Sequence, residues 1–464
     1  MKSLLIPITV LILLNSNVIF SQEISVDDDP FAELDKEIKS LNNEGSDSEI
    51  KEFQLWKSEY LLEYQTFRKE HFKRVDDVRD DLISLWGESE TSSPSKYVEY
   101  SKDKKTKTTL DFEKNELTIS VLHDEDTEVS QEFVIDSLNN MADSSLSNAS
   151  LSQIVGQPLT KTSAESLVKK AKIEHKQTAL IKNKKALIAK EIMLIEEQSQ
   201  AQLSQVEKMY DLVNVDTPET EKVAKETKSN IQKEKVQIEK EKQIRIASLQ
   251  VQTAKLNKSA KRDVLKSKKI TTYTMPLGNK KDLTKAKPYI GNVKVQSDRW
   301  ELSPSLLLAI MHTESYFNPR AQSHVPAFGL MQIVPRSAGI DVNRFLYKKD
   351  TPMTESYLFQ SDKNIETGVA YMHILNSRYL RKITNPESRM YCMIAAYNTG
   401  SGNVAKTFNN DGSRNISKAA KIINSLSPKE VYDHLIANLP YDETKNYLKR
   451  VTKRKKIYMA IDSI

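Results

Sequence analysis

Glu314 is the residue in this chain whose setting could do chemistry. Leu307, Ile310 and Met311 lie seven, four and three positions before it, so at about 3.6 residues per turn its carboxyl shares a helical face with apolar side chains. Water would solvate a charge poorly there, and desolvation raises a carboxyl pKa, by up to ~3–5 units where burial is complete. A carboxylic acid that stays protonated near neutral pH is what general acid catalysis of glycoside cleavage requires. A single Glu near a helix end is more often a solvated surface residue, so Glu314 alone does not decide the chemistry.

The segment that must position it runs from Trp300 to Pro335, WELSPSLLLAIMHTESYFNPRAQSHVPAFGLMQIVP. Ser303 reads as an N-cap, and Pro304 sits at the first helical position, where its missing N–H costs nothing. Leu306 to Met311 is wholly apolar, which predicts burial. Asn318-Pro319 closes the helix, because the residue before a proline is pushed out of the α region.

Three motifs follow Glu314-Ser315: Gly329-Leu330-Met331-Gln332, then Ala396-Tyr397-Asn398 before Gly400, then Glu443-Thr444-Lys445-Asn446-Tyr447. Each has a bland reading alone. The first is a turn entering a helix, the second a core aromatic with a C-capping amide, the third a Glu and a Tyr four apart on one helical face. In this order the four resemble the lytic murein transglycosylases with the soluble-lytic-transglycosylase catalytic domain, and within them the membrane-bound C branch.

That resemblance implies a mainly α, lysozyme-like fold over roughly the last 170 residues and a role for each motif. Glu314 would protonate the oxygen between N-acetylmuramic acid and N-acetylglucosamine, then take the proton of the C6 hydroxyl, leaving a 1,6-anhydromuramoyl end. Ser315 would support Glu314 or the substrate. Met331 and Gln332 would contact the glycan. Tyr397, beside Asn398, would bond the Glu314 carboxyl, and Glu443 and Tyr447 would border the N-acetylated rings. Asn364, Gly368 and Tyr371 resemble a further segment of the family, with Asn364 structural and Gly368 admitting a close contact. No cofactor is implied.

Other chemistries stay open at this stage. A second carboxylate such as Asp341 or Asp362 opposite Glu314 would make the enzyme a hydrolysing muramidase, a chitin-cleaving enzyme is a weaker possibility, and a noncatalytic wall-binding scaffold is the competing class. Metal catalysis is disfavoured, since His312, His324 and His373 show no close ligand spacing, and His312 reads as a helix residue. No serine has a nucleophile-elbow glycine pattern.

The rest of the 464 residues is uneven. Hydrophobic content of 38%, charged content of 28% and only 11 glycines predict a helix-rich chain with a long polar section. The net charge of +6 suits an anionic polymer without identifying nucleic acid, for no recognition motif accompanies it. Lys2 and the apolar run after it read as a secretory signal over residues 1–21, with an uncleaved anchor as the alternative. Export to the periplasm follows, with outer-membrane association implied by the resemblance, although no cysteine follows the signal to carry a lipid. The lone Cys392 excludes an intramolecular disulfide and reads as a small buried hydrophobe.

Residues 22–50 read as a flexible acidic lead and 51–150 as a small α+β module. Phe53, Trp56, Tyr60, Tyr64 and Phe67, then Val75, Val78, Leu82, Leu85 and Trp86, recur at helical spacing,. Strands are expected over 96–100, 107–112 and 117–122. This stretch resembles the N-terminal domain of the same branch. Residues 151–272, rich in Lys, Glu and Gln, predict a long charged helical hairpin or coiled coil, turning at Thr217-Pro218. Ile181, Ala186, Ile188, Ile192, Ile195 and Leu203 would face Val223, Ile231, Val236, Ile238, Ile244, Ile246, Leu249 and Val251. Such an arm could space the catalytic domain from an envelope protein partner or from a membrane. Residues 273–464 form the expected catalytic domain, whose substrate would be peptidoglycan glycan strands.

Overall fold

A computed structural model describes residues 47–141, 160–177, 184–211, 220–262, 268–277, 282–323, 327–349 and 351–463. The expected signal, nearly all of the acidic lead, the Thr217-Pro218 turn and His324 lie outside them. The chain divides into units Met1–Lys57 and Ser58–Ile464; of the first, the described residues are helical, and the architecture below is that of the second.

A long helix, α1 (Asp47–Trp86), stops at Gly87, whose φ of 73° favours glycine. The Trp86 indole N–H donates to the Lys104 carbonyl at 2.8 Å, which pins the helix end to the following sheet. Strands β1 (Lys96–Tyr100), β2 (Thr106–Asp111) and β3 (Glu116–Asp124) appear where alternation predicted them. Two helices, α2 (Gln131–Met141) and α3 (Lys161–Lys169), follow, and then β4 (Lys172–Gln177). After a helical insertion comes β5 (Lys268–Pro276). The sheet is antiparallel in the order β1-β2-β3-β5-β4. Its faces alternate as period-two strands must. Leu117, Ile119, Val121, Tyr273 and Met275 meet Val134 and Leu138 of α2 and Leu167 of α3, while Leu122 and Ile270 meet Leu82 and Trp86 of α1.

Strand β5 crosses the expected division at 272/273, so the first residues of the expected catalytic domain belong to the strand between β3 and β4. The charged hairpin is correspondingly narrower than 151–272. It comprises α4 (Lys184–Asp211) and α5 (Thr220–Arg262), inserted between β4 and β5. Gln198 meets Arg245, and Ile195 packs with Leu249, so α4 and α5 run antiparallel.

The hairpin lies against α1, because Ile83 joins Ile195 and Leu249 in one apolar cluster. Between the three helices runs a polar seam. Buried Arg68 pairs with Glu234 at 2.8 Å, Arg245 makes two bonds to Asp76 at 2.7 and 2.8 Å, and Ser89 donates to Glu191 at 2.8 Å. Val236, Ile244 and Val251, expected to face α4, are instead exposed; Glu234, Ile238, Leu249 and Thr253 take the buried positions. Val78 of α1 is likewise exposed, and the Phe53–Phe67 side chains lie outside the described residues.

The C-terminal part is helical. A short helix Asp282–Ala286 and a 3₁₀ turn Lys287–Tyr289 come first, separate from the next helix because Pro288 lacks the N–H that a continuing α turn would use. Then come α6 (Ile290–Trp300), α7 (Pro304–Ser315), α8 (Ala338–Tyr347), α9 (Ser361–Ile374), α10 (Pro386–Thr399), α11 (Ser401–Phe408), α12 (Ile416–Ile423), α13 (Pro428–Asn438) and α14 (Asp442–Tyr458). Helix α11, which no sequence signal predicted, restarts the chain after Gly400. Helix α7 is the axis: Leu307 to Met311 have no exposed surface, and α6 and α14 pack around it.

Candidate active site

Helix α7 begins as its sequence requires, with the Ser303 hydroxyl accepting from the Leu306 N–H. Asp462 adds a second clamp by accepting from the Ser305 N–H at 2.7 Å and its hydroxyl at 2.6 Å. At the other end Tyr316 and Phe317 hold φ of 53° and 66°. Two successive side-chain-bearing residues in the left-handed region cost on the order of 1–3 kcal/mol each. The turn stops α7 one residue past Glu314, leaving the carboxyl partly exposed at the helix end.

The Tyr447 hydroxyl donates to Glu314 Oε1 at 2.6 Å. Tyr447, on α14, is 3% exposed, and burial first, then the Glu314 charge, holds its phenol well above the usual tyrosine range. The same causes, in the same order, raise Tyr397. Both phenols therefore stay neutral and act as donors. Tyr397 spends its proton on the Met331 carbonyl at 2.8 Å, so the phenol donating to the acid is that of Tyr447, where the motif had suggested Tyr397.

The Gly329–Gln332 loop is a tight turn closed by paired bonds between Phe328 and Ile333. Gly329 has φ of 75°, and a Cβ there would strike the Asn364 side chain and the Leu358 carbonyl. Fully buried Asn364 accepts from the Met331 N–H at 2.7 Å and donates to the Phe328 and Leu358 carbonyls, each at 2.8 Å. Ser315, also fully buried, donates to the Leu330 carbonyl at 2.8 Å. Gly368 leaves room for the Met331 thioether, which an added Cβ would strike.

Ser315, expected to support Glu314 or the substrate, and Met331, expected to contact the glycan, both have no exposed surface, and in this structure they fix the loop from beneath. Gln332, at φ of 48°, turns its amide N–H groups to the Ala321 and Gly329 carbonyls at 3.1 and 2.9 Å. Asn398 accepts from the Thr444 hydroxyl at 2.7 Å, which fastens the end of α10 to α14 one turn before Tyr447. Glu443 lies exposed on the first turn of α14. Thr444, 1% exposed, is a site-building residue that the motif contained and the sequence reading passed over.

Of the alternative carboxylates, Asp341 acts on Tyr371, whose ring lies 5.6 Å from that of Tyr397, and Asp362 is exposed at the start of α9. His312 accepts a helix role: its ring meets the Tyr458 hydroxyl at 2.9 Å. His373 packs on Trp300 at 4.5 Å. Cys392 is fully buried, and burial raises its thiol. Among the described residues no group of three or more His, Cys, Asp or Glu could hold a metal ion.

Residues 291–420 match the family described as transglycosylase SLT domain. The chain carries a transglycosylase SLT domain. Residues 66–158 match the N-terminal domain of membrane-bound lytic murein transglycosylase C, so the sheet module and the helical domain occur here in that protein's combination. The membrane-bound lytic murein transglycosylase C of Cronobacter sakazakii is 48% identical over 174 residues, 38% of this chain and 47% of that protein. Its Klebsiella pneumoniae counterpart is 46% identical over the same shares. The chain thus spans about half the length of the curated relatives it matches. The lytic transglycosylase Slt of Pseudomonas aeruginosa is a structural neighbour at TM-score 0.30 and 26% identity, covering 39% of this chain and 25% of that one.

Proposed function

We propose that this chain is a peptidoglycan lytic transglycosylase that uses Glu314 as its one acid and base. The carrying observation is the bond from Tyr447 to Glu314 at the partly exposed end of α7, where Glu314 lies inside the stretch 291–420 that matches the SLT family and Tyr447 lies beyond it. Glu314 in its acid form protonates the oxygen bridging N-acetylmuramic acid and N-acetylglucosamine, and the C1–oxygen bond breaks. The 2-acetamido oxygen of the sugar stabilises the oxocarbenium ion at C1, so a second catalytic carboxylate is unnecessary. Ionised Glu314 then takes the C6 hydroxyl proton as O6 bonds to C1. The acid is regenerated, a 1,6-anhydro end forms and no water is consumed. Tyr447 holds the carboxyl through both steps, while Gln332, Asn398 and Glu443 border the sugars.

The basic start and apolar run of residues 1–21 support export and a periplasmic place, and the relatives' names call those proteins membrane-bound. Among the described residues no helix is long and apolar enough to cross a membrane.

The test is mass spectrometry of the soluble products from purified sacculi treated with the chain or with Glu314→Gln. Anhydro-ended muropeptides from the first alone are expected. Reducing, hydrated muramic ends would replace this reading with hydrolysis, and an absence of products from both would leave a wall-binding role.

A further inference from the structure

The turn that aims Glu314 is held from outside the helical domain. One end of the sheet, made of the residues before β1 and the β2–β3 turn, reaches the exit of α7. There the Tyr316 hydroxyl donates to Glu113 at 3.1 Å, and the Asn318 side-chain amide donates to the Pro94 carbonyl at 3.2 Å. The Lys285 ammonium adds a bond to the Phe112 carbonyl at 2.6 Å. The Tyr316 ring packs on the apolar core of the sheet module, and the Arg454 guanidinium covers it at 4.7 Å. Arg454 also donates to the His312 carbonyl at 3.0 Å, the same carbonyl that accepts the Tyr316 N–H at the end of α7.

Tyr316 is two residues past Glu314, and its left-handed backbone conformation persists only where the surroundings over-determine it. Those surroundings include the sheet module. Within α7 a rotation at the exit turn would swing the Glu314 carboxyl away from Tyr447, and a small misplacement of a reacting group costs rate more than binding.

We propose that the sheet module is a positioning device for the Glu314 carboxyl, acting through Tyr316 on Glu113 and Asn318 on Pro94. It rests on the reading of Glu314 as the reacting acid. Tyr316 and Asn318 are positioning residues, since they act through the backbone of the turn. The module is therefore more than a spacer in front of the helical domain.

The experiment uses the full chain as wild type, Tyr316→Phe, Glu113→Gln and the double variant, with Glu314→Gln as the blank. Soluble, uncross-linked glycan strands are the substrate, and chromatography with mass detection gives kcat and KM separately. Each single variant should lower kcat roughly three- to tenfold, the size of one hydrogen bond, with KM and melting temperature unmoved. The double variant should fall no further than the singles, because all three remove the same bond. Wild-type kcat in both singles, a loss carried by KM alone, or a double variant equal to the product of the singles would each overturn the proposal. A wild-type chain no more active than Glu314→Gln would overturn the assignment of the acid and this inference with it.

Discussion

The Tyr447 hydroxyl and Glu314 Oε1 stand 2.6 Å apart although the residues are 133 positions apart in the chain. Helix α14 thus reaches back to the end of α7, and a buried neutral phenol restrains the partly exposed Glu314 carboxyl. Thr444, bonded to Asn398, sets the rotation of α14 that makes this reach possible.

Removing that hydroxyl tests the relationship. Tyr447→Phe keeps the ring and its packing but loses a hydrogen bond to a group that is charged for part of the cycle, a bond worth about 1.5–3 kcal/mol. The release of soluble muropeptides should fall roughly ten- to hundredfold, with glycan affinity retained. A rate within twofold of wild type would show that Tyr447 is only a core aromatic.

Asn364 carries a second prediction. Its side chain satisfies one N–H and two carbonyls inside the protein, so Asn364→Ala leaves buried polar groups without their partner. The unfolding free energy should drop by about 3 kcal/mol, read from denaturant midpoints, and activity should fall as the Gly329–Gln332 loop slackens. Unchanged stability would mean that the loop is held chiefly by Ser315 and Tyr397.

Much of this was readable beforehand where the signals are local. Ser303, Pro304 and the apolar run mark the start and body of α7 without help from the rest of the chain, although the helix ends at the Tyr316-Phe317 turn before Asn318-Pro319 is reached, and β1 to β3 follow from alternation and a short turn. Strand β5 escaped because its stabilising partners are distant: Ile119 faces Tyr273 across the ladder, and no local pattern announces that pairing. The hairpin seam misled for a related reason. Its apolar stripe was read as a two-helix interface, whereas α1 supplies a third surface whose Arg68 and Asp76 demand acidic and basic partners at buried positions. At the site, the motifs named the right helices but not the direction of their side chains. Which of Tyr397 and Tyr447 reaches Glu314 is decided by helix rotation in three dimensions.

His312 should make the domain acid-sensitive. Burial first, then the charges of Arg454 and Lys285, lower its pKa from 6.5 to about 3. The unfolded chain binds the proton more tightly, so the neutral ring's contribution is fully present above pH 6.5 and is lost as pH falls from there toward 3. At pH 5 the loss is about 2 kcal/mol. Denaturant unfolding at pH 7 and pH 5 measures it, and His312→Gln should flatten the difference. An equal pH dependence in both proteins would move the acid sensitivity to other groups.

The three-helix seam gives the last prediction. Arg68 is 2% exposed and faces Glu234, itself 4% exposed, with Glu241 at 3.2 Å as a second acceptor. Replacing a buried pair by apolar side chains is often neutral, whereas deleting one partner strands the other charge at a cost of about 3–5 kcal/mol. Arg68→Met should therefore loosen α4 and α5 from α1, seen as faster amide hydrogen exchange across Lys184–Asp211 and Thr220–Arg262. Arg68→Met combined with Glu234→Leu should restore most of the protection, since the buried carboxylate is gone too. Equal exchange in the single and double variants would show that the seam is held by Arg245 on Asp76 and by the Ile83–Ile195–Leu249 cluster, with the Arg68–Glu234 pair adding register but no strength.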